Sequence, residues 1–125
     1  MSDTPKLPLT AEILSVHFTG TETWHRHALV RSVQFTDGAK YVADAGEAYW
    51  LLDEIAFAQK SRKAVARERF QHWKLTVADD RTARLVCEDG NGRRVFTKRI
   101  AFTDFPLPEV RFFFENDTIL LPSEH

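Results

Sequence analysis

The chain has 125 residues, 43% of them hydrophobic, with ten Phe, three Trp and two Tyr. That is enough apolar surface for one compact domain without disulfides or a structural metal, and too little chain for two. Seventeen basic and 18 acidic residues leave a formal charge of −1, so no overall field draws the molecule onto nucleic acid or anionic lipid, and any such binding needs a local patch.

The start, MSDTPKLPLT, lacks a basic and then apolar leader pattern, and no apolar run approaches the roughly 18 residues of a membrane span. Cys87 is the only cysteine, which excludes an intramolecular disulfide and suits a reducing compartment. The expectation is a cytoplasmic protein with a loose N-terminal arm over 1–9 and one domain over 10–122. Thr10 is the expected cap of a short helix over about 10–18, ended by Gly20. WHRHALVRSVQF then reads as extended chain leading to Asp37-Gly38, a dipeptide suited to a tight hairpin turn, with Lys40 to Ala43 as the returning strand. Asp44 and Glu47 have the spacing of a capping pair.

The clearest helix follows, with Ala48, Leu51, Leu52, Ile55 and Ala56 on one stripe and Trp50 and Phe57 on its flank. KSRKAVARER is either a helix end with a basic last turn or a solvent-facing connection. From Phe70 the period switches to two. Trp73, Leu75 and Val77 alternate with Lys74 and Thr76; Ala83, Leu85 and Cys87 alternate with Arg84, Val86 and Glu88; and Phe96, Ile100 and Phe102 share a face. Pro106 and Pro108 interrupt strand formation before Val110, Phe112 and Phe114 resume it, and TILL is a last short strand. The fold class expected is α+β: one long amphipathic helix and a short N-terminal helix on a mainly antiparallel sheet of consecutive hairpins.

The blocks FTGTETWHRH, FTDGAKYVAD and AYWLLDEIA, through Thr19, Gly20, Thr21, Glu22, Trp24, His27, Thr36, Asp37, Gly38, Tyr41, Asp44, Trp50 and Leu51, resemble those of an uncharacterised protein family encoded mostly on bacterial plasmids, phage and integrative elements. The likeness is fuller in the first half of the chain than from Trp73 to Phe114. It implies a mobile-element accessory protein acting on a host protein, often one of a defence system, and it supplies no catalytic residue, cofactor or substrate.

Several chemistries can be weighed on the residues alone. His25 and His27 are spaced to aim both imidazoles to one side of a strand, but a metal site needs three or four ligands and the remaining donors are distant ones such as His17, His72, Cys87 or a carboxylate. The plainer reading is one histidine fixing a loop and the other solvated. Cys87 falls on the core phase of its strand, which favours an inert thiol over a nucleophile. No nucleophile elbow, zinc-protease, phosphate-loop or dinucleotide motif occurs, so no catalytic residue and no cofactor is assigned.

Two binding readings remain. Lys60, Arg62, Lys63, Arg67 and Arg69, with Arg93, Arg94, Lys98 and Arg99 further on, would form a phosphate-binding patch if both segments fold onto one face. Trp24, Tyr49, Trp50, Phe57, Phe105 and Phe113 do not all fit the core faces of the elements above, and leftover aromatics are interface anchors. A homodimer seam or a sheet covered on both faces would also account for them. The expectation favoured is stoichiometric binding to a host protein or complex, such as inhibition of a defence complex, with nucleic-acid binding as the rival and an enzyme or metal protein centred on His25 and His27 third.

Overall fold

The alternation of apolar and polar residues from Phe70 onward builds most of a seven-stranded sheet, and the helical stripe upstream covers one side of it. A computed structural model describes residues 9–18 and 23–125. In chain order these form α1 (Ala11–His17), β1 (Trp24–Arg26), β2 (Gln34–Thr36), α2 (Asp37–Ala45), α3 (Tyr49–Ser61), α4 (Lys63–Ala66), β3 (Phe70–Val77), β4 (Ala83–Glu88), β5 (Arg94–Ile100), β6 (Glu109–Glu115), β7 (Thr118–Leu120) and a 3-10 turn over Pro122–Glu124. The expected arm over 1–9 lies, apart from Leu9, outside the described residues, as do Thr19, Gly20, Thr21 and Glu22.

The strand order is β1-β2-β7-β6-β3-β4-β5. All neighbours are antiparallel except β2 and β7, which are parallel. Among the described residues, four helices on a mostly antiparallel open sheet make an α+β fold. Trp73, Leu75 and Val77 of β3, Leu85 and Cys87 of β4, and Val110, Phe112 and Phe114 of β6 are buried together with Leu51, Leu52, Ile55 and Ala56 of α3. The stripe and the alternation therefore meet in one core. Thr10 caps α1 as expected, its Oγ1 accepting the Ile13 N–H at 3.0 Å. The basic stretch combines both expectations, the end of α3 followed by the single turn of α4.

Three local readings are corrected. Asp37-Gly38 is not a hairpin turn and Lys40 to Ala43 is not a strand: both belong to α2. Thr36 accepts the Ala39 N–H and so starts a helix, while Ala39, Val42 and Ala43 bury one helical face. Gly38 lets the Glu124 carboxylate close in, since a Cβ there would lie 2.5 Å from it and make that side chain shift; the carboxylate accepts hydrogen bonds from Thr36 Oγ1 and the Gly38 N–H. The hairpin pairs β1 with β2 and turns earlier, between Arg26 and Gln34. Asp44 and Glu47 are not a capping pair. Asp44 accepts from Lys40 Nζ and the Tyr49 hydroxyl, Glu47 takes a positive φ of 51°, and α3 starts after Ala48 without a side-chain cap. Phe102 does not join Phe96 and Ile100 on a common face, since β5 ends at Ile100 and Phe102 is 69% exposed beyond it.

One polar side chain ties the helices to the sheet. Gln71 is fully buried at the start of β3. Its Oε1 accepts from Gln59 Nε2 at 2.7 Å and from the Trp73 indole N–H at 2.9 Å; its Nε2 donates to Gln59 Oε1 and to the Val65 carbonyl, both at 2.9 Å. One amide thus holds α3, α4 and β3 in register. Gln71→Ala should orphan several enclosed groups and cost about 3 kcal/mol or more, read as a lower urea midpoint. Thr76→Ala, on the exposed phase of the same strand, should stay within about 0.5 kcal/mol of the native protein.

Candidate functional site

The helices cover one face of the sheet and leave the alternate side chains of β3, β4, β5 and β6 on the other. The registers give three rows across this outer face: Phe113, His72, Glu88 and Arg94; Arg111, Lys74, Val86 and Thr97; Glu109, Thr76, Arg84 and Arg99. Arg94 and Arg99 are an odd number of residues apart and would face opposite sides of a regular strand. A register shift between Cys87 and Glu88 brings both to the outer face. Lys74, Thr76, Arg84, Glu88, Arg94 and Arg99 line an open concavity of about 690 Å³ there.

This face carries two cation pairs directly across neighbouring strands, an arrangement that is destabilising without an anion. For Lys74 and Arg111 the anion is internal. Glu109 lies 2.8 Å from Arg111 Nε and 3.4 Å from Lys74 Nζ, and the Arg111 hydrogen bond leads in holding its carboxyl below the ordinary range. For Arg84 and Arg99 there is none. Among the described residues, neither they nor Arg94 have a carboxylate partner.

The expected basic patch is thus divided. Arg94 and Arg99 lie on the outer face, whereas Lys98 of the same strand donates to Glu54 of α3 at 2.6 Å and Arg62 stacks over Phe96. Lys60 and Arg69 border a separate concavity with Glu68, Glu115 and Asp117. Lys63, Arg67 and Arg93 are exposed outside that outer-face concavity. Lys74, Arg84 and Arg111 were missed because each reads singly as the polar phase of a strand, and only the sheet order sums them.

The candidate aromatics are also dispersed. Trp24 is 55% exposed on edge strand β1, while Phe102 follows β5 at the opposite edge. Tyr49 and Phe57 are exposed on α3, but the Tyr49 hydroxyl is committed to Asp44, and burial together with that carboxylate pushes it up to about 12. Trp50 packs partly against the core, Phe105 is fully buried, and Phe113 is half-buried among Phe70, His72 and His125.

The histidine pair meets two different carboxylates. His25 Nε2 lies 2.9 Å from Asp37, and buried His27 has Nε2 2.7 Å from Asp53. His27 Nδ1 accepts the N–H groups of Leu29 and Val30, so Nε2 carries the proton and donates to Asp53. Both rings fasten β1 and its turn to the helices. Among the described residues no group of three or more His, Cys, Asp or Glu could hold a metal ion, and the side chain of His17 lies outside them. Cys87 is buried, and burial leads in pushing its thiol up to about 12, which removes the thiolate at neutral pH.

His72 borders the outer-face aromatics with Nε2 enclosed and unpartnered and Nδ1 3.5 Å from Glu88. Burial, then the charge of Arg111 and more weakly Lys74, hold the ring below its ordinary value of 6.5, with Glu88 opposing. The unfolded chain therefore takes up this proton first as the pH falls. The stability contribution is complete above about pH 6.5 and is lost as the pH drops through the lower folded-state value. The fall in urea midpoint between about pH 7.5 and 5.5 should be smaller in His72→Phe than in the native protein.

Among the described residues no helix is long and apolar enough to cross a membrane. No curated protein and no solved structure matches the chain. Residues 11–125 match the profile of DUF6876, a family of unknown function, and the chain belongs to that family.

Proposed function

We propose that this protein is a non-catalytic binding protein whose outer sheet face holds the phosphate backbone of a nucleic acid. The observation that carries the reading is the Arg84 and Arg99 pair, set opposite each other across β4 and β5 with no carboxylate among the described residues ion-paired to either. Glu109 shows on the same face what an anion does between two such cations. A phosphate from outside would take the equivalent place at Arg84 and Arg99, with Arg94 within the same concavity. The cations line an open surface, which suits a chain of phosphates passing over it.

With a net charge of −1, long-range steering contributes little and affinity comes from local contacts, so binding should weaken steeply with salt. Arg84→Glu with Arg99→Glu should weaken binding of a labelled oligonucleotide by tenfold or more and lower the slope of log affinity against log salt by roughly 1.5. Arg62→Glu with Lys63→Glu, on the helix side, should change neither. A flat salt response, or equal losses from both double variants, would overturn the proposal.

A second reading rests on β1. This edge strand has its outer side unpaired among the described residues, with Trp24 exposed on it and Leu29 72% exposed in the turn after it. Such an edge accepts a strand from another protein. A mobile-element accessory role against a host defence complex belongs to this reading and rests on the likeness of the FTGTETWHRH and FTDGAKYVAD blocks. Trp24→Ala should then abolish binding of the host partner while leaving oligonucleotide affinity unchanged.

A further inference from the structure

Next to the cationic concavity lies a smaller one of about 280 Å³, lined by Phe70, His72, Glu88, Gly90, Arg111 and Phe113 among others. Glu88 borders both, so the two are continuous across one side chain. The smaller one has aromatic walls. Phe113 meets Phe70 at 4.9 Å, His72 at 5.6 Å and His125 at 5.2 Å between ring centroids, each edge to face. Phe70 and Phe113 are half-buried, although both occupy the outer phase of their strands, opposite Glu115 and His72 respectively. Gly90, in the turn between β4 and β5, lies beside Phe70.

From the proposed nucleic-acid reading, on which it rests, we infer that the ligand is single-stranded, with phosphates at Arg84, Arg94 and Arg99 and a splayed-out base stacked at Phe70 and Phe113. The two ends of the site are two strands and two alternate rows apart between Arg84 and Phe113, a diagonal of about 17 Å. A duplex keeps its bases inside its own stack and cannot place one in the aromatic corner, whereas a single strand presents every base face. Glu88 stands between the two halves as a hydrogen-bond acceptor for an exocyclic base amine. The corner adds no cation except Arg111, which is already held by Glu109. Its contribution is therefore stacking, which separates it experimentally from the cationic half.

The test uses fluorescence anisotropy of the native protein with three labelled ligands of about 12 nucleotides: a mixed-sequence single strand, the same strand paired with its complement, and an abasic strand. The base-bearing single strand should bind on the order of tenfold more tightly than either of the others at equal salt. Phe113→Leu and Phe70→Leu, which keep an apolar side chain without a ring, should bring the single strand to the level of the abasic one and leave the abasic strand unchanged. Circular dichroism checks that the variants fold, and the comparison of ligands on the native protein decides the matter without them. Equal affinity for all three ligands, or folded leucine variants that bind like the native protein, would overturn the single-strand inference while leaving the cationic site in place. Absence of binding to all three would overturn both.

Discussion

The buried Gln71 amide fixes where α3 and α4 sit on the apolar side of the sheet. It is the enclosed polar group through which the turn of α4, the body of α3 and the indole of Trp73 reach one another. A buried amide holds a neighbour in one place because any shift leaves a donor or acceptor without water or partner. Apolar contact alone would let α3 slide along the sheet. With the helices fixed to the Trp73 side, the side chains in the opposite phase of β3, β4, β5 and β6 are left to solvent.

The polar groups of the two sides are used differently. On the helix side they are spent on architecture: Asp53 accepts a hydrogen bond from His27 Nε2, Glu54 accepts one from Lys98, Thr36 and Glu124 start α2, and Asp44 holds Lys40 and Tyr49. On the outer face Glu109 neutralises one cation pair, and among the described residues no carboxylate does so for the other. A nearly neutral protein can therefore carry a local cationic site, because its formal charge averages over surfaces that never face the same ligand.

The corrected elements share a cause. Asp37-Gly38 carries the local chemistry of a hairpin turn, and a helix forms there because Thr36 caps it and the distant Glu124 fits against Gly38. Tertiary contact overrode a short-range preference. The same holds for Phe105: Pro106 and Pro108 just after it mark a loop, and nothing in the loop's own sequence says that its ring is swallowed by the core.

The amino-acid order by itself determined the class of the fold, the long amphipathic helix, the core phases of β3, β4 and β6, the buried state of Cys87 and the balance of charge, because periodicity and composition act over a few residues at a time. It also contained the cations of the outer face, scattered as isolated polar positions in separate strands. Only the tertiary structure decided that Arg84 faces Arg99, that a bulge carries Arg94 to the same side, that the basic stretch after α3 does not join them, and that Phe70 and Phe113 stand beside them. Those are facts of strand order and register, which depend on pairings between segments far apart in the chain and therefore leave no local signature.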